Sequence, residues 1–373
     1  MTVLECSHCI MRSVDDPALE LVDGVCNHCR RYEELLPSRV FTGADGEAKL
    51  SAIVKEIKEA GAKKRYDCLI GLSGGVDSTS VAVKVKELGL RPLAFHVDNG
   101  WNTELAVSNV EKTVKALDLD LVTEVLDLRQ FYDLQRAFLL ASTPDADVPA
   151  DHAIQACMWK FARKYGVKYI ISGMNFRTEA ISVPSWSYGH SDWRYIEAVH
   201  DKFGREKLTT YPHFGFTELG YTNTVARVRI VSILNYFEYN KAAAVKQMQE
   251  QLDWRPYPGK HFESIFTRFF QGYILPVKFN IDKRRGHLSD LINSGQITRE
   301  QALEEIEHND YTEDLIRRDR EFFCKKLNFT DREFDDLMAA PVKSFRDYKN
   351  SYGFVQFLRN GVNVLRKRGW YPK

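Results

Sequence analysis

Residues 66–89 read YDCLIGLSGGVDSTSVAVKVKELG, and this stretch decides the fold. Its first seven residues, YDCLIGL, are an apolar run of the kind that fills a buried parallel strand. Ser73-Gly74-Gly75-Val76-Asp77-Ser78 follows, and beyond it Val81, Val85 and Leu88 recur at helical spacing before Gly89 supplies a stop. The order is strand, glycine loop, helix. Glycines let backbone N–H groups close on phosphate oxygens, Ser73 and Ser78 add hydroxyl donors, and the helix N-terminus adds the positive end of its dipole. Asp77 is a carboxylate in an anion site, which makes chemical sense when Mg²⁺ bridges it to the phosphates. The loop is neither the G-x4-G-K-[ST] of a Walker A motif nor G-x-G-x-x-G. The alternative, a chance Gly-Gly turn, fits poorly with a strand before and a helix after.

Outward from the loop, strand and helix patterns alternate. RPLAFHV at 91–97 reads as a second strand ending in Asp98-Asn99-Gly100, and Asn102 is placed to cap a helix running to Leu117. Leu119–Leu126 reads as a third strand, Asp151–Tyr165 as a helix and VKYIIS at 167–172 as a fourth strand. This alternation predicts an α/β fold with a parallel sheet, helices on both faces and a ligand at the C-terminal edge of the strands. The fourth strand ends in Gly173-Met174-Asn175-Phe176-Arg177-Thr178-Glu179, at that edge. Glu179 is a candidate Mg²⁺ ligand and Arg177 a candidate phosphate or substrate contact; the bland alternative is an exposed turn with a surface ion pair.

Four of the seven cysteines fall within the first 29 residues. Cys6, Cys9, Cys26 and Cys29 form two C-x2-C knuckles at zinc-ribbon spacing, with Asp23-Gly24 as a turn before the second. His8 and His28 flank the knuckles and offer alternative ligands. Two disulfides would be the other reading. MTVLECSHCIMRSVDD lacks a basic region followed by an apolar one, so a reducing cytoplasm is expected and a metal is preferred, zinc ahead of an iron–sulfur cluster. Four thiolates leave no open coordination position, so this zinc is expected to be structural.

Composition bounds the partners. The 373 residues carry 52 Lys+Arg and 51 Asp+Glu, a net charge of +1, which argues against coating DNA or RNA. A 28% charged and 44% hydrophobic balance excludes a wholly disordered chain. No apolar run reaches the ~18 residues a membrane span needs. Residues 183–222 are dense in Trp, Tyr, His and Gly with little periodicity, suited either to sugar or nucleotide rings or to packing under a second domain. Val225–Tyr236 and Lys241–Leu252 read as helices, and Thr298–Gln301 and Thr330–Glu333 as capping boxes. Lys278, Lys283, Arg284, Arg285 and His287 concentrate cations that suit a diphosphate; a solvated charge run is the alternative. RNGVNVLRKRGWYPK at 359–373 is another basic cluster, an acidic-partner contact or a soluble tail. Cys68, Cys157 and Cys324 read as inert packing.

S-G-G-V-D-S resembles the PP-loop of N-type ATP pyrophosphatases, which cleave ATP between the α and β phosphates and adenylate a carbonyl oxygen. The resemblance implies an adenine nucleotide alpha hydrolase-like domain, with Ser73, Gly74, Gly75, Val76, Asp77 and Ser78 on ATP, Asp98 against the adenosine, and Gly173 and Asn175 at the nucleotide. The order CxxC–x16–CxxC, S-G-G-V-D-S, then WRPYPGKHFES…DKRRGHLSDLINSGQITREQA is similar to one family, the N-acetyl sugar amidotransferases of bacterial surface-polysaccharide and flagellin-sugar biosynthesis. The Trp254–Ala302 block narrows it. The resemblance implies conversion of an acetamido group on a nucleotide-activated sugar to an acetamidino group, in O-antigen or lipopolysaccharide biosynthesis. It implies ATP, Mg²⁺ and a structural Zn²⁺ as cofactors. It places Lys283 and Arg284 beside Asp77, Ser73 and Ser78 in catalysis, and Arg177, Glu179, Lys260, His261, Lys278, Arg285 and His287 on substrate. Residue 2 is Thr and no G-x-C-x-G is present, so ammonia is expected from a separate glutaminase resembling the glutaminase subunit of imidazole-glycerol-phosphate synthase. The expected organisation is a zinc-ribbon-like module at 1–40, a PP-loop domain at 41–222 and a helical substrate or partner domain at 223–373. The rival enzyme reading is a tRNA thiolase; Val76, where those enzymes usually carry Lys, and an unpartnered Cys157 count against it. A non-catalytic zinc and nucleotide scaffold is the rival from another class, against which the intact loop argues.

Overall fold

The computed structural model describes residues 3–308 and 311–367. The run at 66–72 lies at the centre of a sheet. Its strands are β1 (Cys68–Gly71), β2 (Pro92–Asp98), β3 (Asp120–Val125), β4 (Tyr169–Ser172) and β5 (Arg229–Ser232), all parallel, in the order β3–β2–β1–β4–β5. Alternate side chains feed opposite faces: Leu69, Phe95 and Ile170 join a core with Phe131, Phe138 and Phe161, while Cys68, Ile70 and Ile171 pack on Val54, Val81 and Val85. Covered on both faces, the central strands have to be apolar throughout.

The helices that matter for the site are α1 (Asn27–Arg39), α2 (Val76–Glu87), α3 (Glu104–Ala116), α4 (Lys241–Leu252) and α5 (Lys283–Asn293). Beyond α5 the described chain is helical, and Thr298 and Thr330 head capping boxes. The sheet grows from β1 to β2 and β3 on one side and to β4 and β5 on the other. The connection therefore reverses at β1, and the crevice at the carboxyl ends of β1 and β4 is the switch point where α/β sheets bind ligands.

Two local expectations change, and a third segment takes one of its two readings. Val225–Tyr236 is not one helix but β5 followed by a 3-10 turn, Ile233–Tyr236. Ile230 and Val231 are β-branched, poor helix formers, and pairing with β4 captures them. The sheet thus takes its edge strand from beyond residue 222. The cap of α3 is Thr103, whose Oγ1 accepts from Ala106 N at 3.2 Å; Asn102 instead meets His96 Nε2 at 3.1 Å. Within 183–222, Trp186, Tyr195, Tyr211 and Phe214 are buried, and a helix spans Trp193–Phe203. His152 stacks on Phe214, with ring centroids 4.4 Å apart, so aromatic packing accounts for much of this segment's composition. Of the basic cluster at 359–373, residues 368–373 lie outside the described residues. Among the described residues no helix is long and apolar enough to cross a membrane.

Candidate active site

The loop is pinned from within and from outside. Ser73 Oγ and Ser78 Oγ lie 3.1 Å apart, Ser73 Oγ accepts from Gly75 N, and Ser78 Oγ donates to the Gly75 carbonyl. Gly74 has φ +83°, and a Cβ there would stand 2.6 Å from the Ala106 carbonyl oxygen of α3, so only glycine fits. A Cβ on Gly173 would meet Asp77 and Ser78 backbone atoms at 3.2–3.3 Å, which brings the end of β4 against the loop. The Gly74 carbonyl accepts two hydrogen bonds from the Trp254–Ala302 block, from Trp254 Nε1 at 3.0 Å and Tyr257 Oη at 3.1 Å. Asn109 of α3 holds the same segment through both backbone groups of Arg255.

Charged side chains gather at the loop mouth. Tyr239 Oη donates to Asp77 Oδ1 at 2.6 Å. Lys260 Nζ donates to His287 Nδ1 at 3.2 Å, and burial followed by the nearby Lys260 and Lys241 charges pushes His287 well below its ordinary range, so it is neutral. His261 holds a left-handed backbone, φ 66°, rare for a non-glycine residue, and its Nδ1 is 3.6 Å from Glu263 Oε1. Glu179 opens to solvent in this concave wall. Its carboxyl is pushed up by partial desolvation, while Lys260 opposes and the like charge of Asp77 adds to the rise. A divalent cation between Asp77 and Glu179 would relieve that repulsion, so the donor set suits Mg²⁺.

Lys241, the first residue of α4, was not legible as a site residue. Its ammonium makes no hydrogen bond or ion pair among the described residues, yet it lies in the field of Asp77, Glu179, Glu263 and Lys260; desolvation lowers its pKa. Asp290 was missed too: buried, it accepts from Ile181 N at 3.0 and 3.1 Å, and burial pushes its carboxyl up to about 7.

Other expected residues sit elsewhere. Asp98 ends β2 on the far side of β1, and its Oδ1 accepts from Gly100 N. Asn175 spends its side chain on Thr178 as a cap. Arg177 is buried against the Leu234 and Phe237 carbonyls and does not join the loop cluster. Lys278 donates to the Leu337 carbonyl, and Arg284 pairs with its neighbour Asp282. Lys283 has no ion pair within 4.0 Å among the described residues; it faces Asp145, Asp147, Asp151 and His190 electrostatically. Arg285 turns to the cysteine head: its Nη1 donates to the Ile10 carbonyl at 3.0 Å, and its Nε is 3.8 Å from Asp15. The cations at 278–287 therefore do not form one phosphate site.

In that head the four sulfurs lie within 4.8 Å of one another, with Cys6–Cys29 at 4.0, Cys9–Cys26 at 3.7 and Cys26–Cys29 at 3.6 Å. A tetrahedron with Zn–S bonds of about 2.3 Å has edges of about 3.8 Å, so the sulfurs fit zinc. Cys6 Sγ also accepts from the backbone N–H groups of Cys9 and Cys26. His28 is committed to Asp16, Nε2 to Oδ2 2.8 Å, and His8 lies exposed. Cys157 is buried, and its thiol is pushed up to about 12 by burial, the opposite of an activated nucleophile.

With this geometry in place, residues 263–360 match the family described as LPS biosynthesis protein WbpG-like, C-terminal domain. The matched segment begins at Glu263, inside the loop-mouth cluster, and includes His287. Among solved structures, NMN synthetase from Francisella tularensis is similar at 14% identity over 74% of this chain and 94% of that one, TM-score 0.36. The NH3-dependent NAD synthetase from Campylobacter jejuni subsp. jejuni NCTC 11168, in complex with the nitrate ion, is similar at 16% identity over 56% and 85%, TM-score 0.30. No curated protein matches.

Proposed function

We propose that the chain is an ATP-dependent amidotransferase of surface-polysaccharide biosynthesis, converting an acetamido group of a nucleotide-activated sugar to an acetamidino group. The observation that carries this reading is one cluster. Asp77 and the glycine loop share the switch-point mouth with Glu179, Lys241, Lys260, His261 and His287, and a WbpG-like domain of the LPS-biosynthesis class supplies part of that mouth.

The acetamido oxygen attacks the α-phosphorus of ATP, and the bond from that phosphorus to the pyrophosphate oxygen breaks. Ammonia then adds to the carbon of the O-adenyl imidate, and AMP leaves with the former amide oxygen. Loop N–H groups, Lys241 and Lys260 neutralise the departing pyrophosphate. Asp77 and Glu179 would hold Mg²⁺, which supplies further charge neutralisation. His261, backed by Glu263, is placed to take the proton that the ammonia adduct sheds. Zinc in the head is structural. Buried Cys157 and Cys68 offer no thiolate for sulfur transfer, which counts against the thiolase reading.

Mass spectrometry of UDP-N-acetyl sugars incubated with the chain, ATP, Mg²⁺ and ammonium tests the reading. It expects a loss of about one mass unit, O replaced by NH, together with AMP and pyrophosphate. An acetamido ¹⁸O label should appear in AMP. Glutamine alone should give no turnover; glutamine-dependent activity of the isolated chain would refute the separate glutaminase.

A further inference from the structure

Between the cysteine head and the sheet lies a cleft of 280 Å³. One wall is α1, which presents Arg31, Leu35 and Arg39 at positions i, i+4 and i+8, on neighbouring turns of the helix. The other wall is the chain leaving β4, including Asn175 and Glu179, with Ser232 and Asn235 from the end of β5. Arg31 and Arg39 are exposed to the cleft, and neither guanidinium has a hydrogen bond or ion pair among the described residues. Tyr32 lines the same cleft, stacked on Phe176 with centroids 4.9 Å apart. It is 3% exposed, and its hydroxyl is buried without a hydrogen-bond partner among the described residues. A buried phenol normally finds a partner, so an orphaned one at a cleft wall marks where a ligand oxygen belongs.

Two unpaired guanidiniums and an idle hydroxyl donor along the α1 wall select an anion with several acceptor oxygens, and planar guanidiniums suit phosphate. Glu179 on the facing wall suits a group that carries N–H or hydroxyl hydrogens. The volume falls just below the roughly 300 Å³ at which compact ligand pockets begin. The cleft lies on one flank of the loop. The loop follows β1; Asp98 lies beyond it on the β2 flank, and the cleft lies on the β4–β5 flank. Glu179 belongs both to the cleft and to the loop-mouth cluster, so a ligand seated here reaches the loop.

We propose that this cleft is the binding site for the nucleoside-diphosphate part of the sugar substrate, with Arg31 and Arg39 on the diphosphate, the Tyr32 hydroxyl on a phosphate oxygen and the sugar directed toward Glu179. The cysteine head is then a wall of the substrate site as well as a zinc module. The proposal rests on the amidotransferase reading for the identity of the sugar, while the diphosphate chemistry comes from the cleft.

The test is calorimetric titration of the full, zinc-replete chain with UDP, UDP-N-acetylglucosamine and, separately, ATP with Mg²⁺. Arg31→Ala/Arg39→Ala should weaken UDP and the UDP-sugar by at least about tenfold each while leaving ATP within about twofold, as expected for two lost charge-assisted contacts. Tyr32→Phe, which keeps the ring stack, should weaken the same two ligands by a smaller factor. Unchanged UDP affinity in the double variant overturns the proposal. So does wild-type chain that binds ATP but neither UDP ligand, or equal weakening of ATP, which would make this the ATP cleft. If UDP binding falls as expected but mass spectrometry finds no amidine, the cleft stands and the reaction fails.

Discussion

Tyr239→Phe removes one oxygen atom and should disable the nucleotide site. The Tyr239 ring is 5% exposed and packs with the core on one face of the sheet, so the phenylalanine ring refills the space and leaves no cavity. What is lost is the 2.6 Å O–H···O⁻ bond to Asp77 Oδ1. Burial keeps the phenol protonated, so it donates throughout the working pH range. The bond aims the carboxylate, and Oδ2, which makes no hydrogen bond among the described residues, remains for Mg²⁺. A hydrogen bond to a charged group contributes about 1.5–3 kcal/mol, or about 10- to 150-fold in an equilibrium. Titration of ATP at several Mg²⁺ concentrations should therefore give an affinity lowered by about tenfold or more, partly recovered by raising Mg²⁺. The melting temperature should move by only a few degrees. ATP affinity, Mg²⁺ dependence and turnover all within about twofold of wild type would refute the reasoning. Asp77 would then not be the carboxylate that meets the metal–nucleotide complex.

Lys241→Gln should lower affinity for ATP and for inorganic pyrophosphate by about tenfold, with Lys241→Arg retaining most of it, since the lost term is one charge-assisted contact; equal pyrophosphate inhibition in wild type and Lys241→Gln would remove Lys241 from the site. Purified reduced protein should carry one zinc, and Cys9→Ser should lose it and unfold the head, read by metal analysis and by proteolysis within residues 1–40; full retention of zinc in Cys9→Ser would contradict the four-sulfur site. His152 is fully buried, with Nδ1 on the His190 carbonyl and Nε2 accepting from Phe214 N, and burial pushes it down to about 4. The unfolded chain then binds the extra proton between pH 4 and about 6.5, so stability present above pH 6.5 falls by about 3 kcal/mol as pH drops to 4. Denaturant melts should show this slope reduced in His152→Asn; an identical slope would place the acid sensitivity elsewhere.

What the sequence revealed and what it hid divide along physical lines. The strand–loop–helix at 66–89 was legible because its signals are local: an apolar run, glycines where the backbone must approach closely, and a helical period. The cysteine head was legible because metal geometry constrains spacing within each knuckle. Lys241 was hidden because it opens an ordinary-looking helix, and tertiary contacts such as the Tyr239–Asp77 bond, spanning 162 positions, bring that helix end to the loop. Arg285 misled for the opposite reason. Its neighbours make a dense cationic run suited to phosphate, but its partner is a backbone carbonyl 275 positions away, which no sequence pattern encodes. The strand at 229–232 was missed because parallel pairing with β4 overrode a weak helical pattern.

The Trp254–Ala302 block carries a recognisable signature without being one site. Trp254 and Tyr257 clamp the loop, Lys260, His261, Glu263 and His287 line its mouth, and Arg285, Ser289 and Arg299 hold the head through the backbone of Ile10 and Cys9. The third task bears on what the head is for. A four-cysteine zinc module obtains its folding energy from the metal and needs no outside anchor to stay folded. Here it is anchored by three side chains of this block and by Trp186 Nε1 on the Asp15 carbonyl. Anchors that add little to folding fix position instead, and what they position is α1, whose Arg31, Tyr32 and Arg39 face the ends of β4 and β5. Loosening the anchor should therefore cost substrate affinity before it costs zinc. Arg299→Ala is the sharper probe, because Arg299 touches the head and neither the loop nor the cleft. UDP-sugar affinity should fall in that variant with zinc content and ATP affinity intact; zinc lost first, with UDP affinity unchanged, would return the head to a purely structural role.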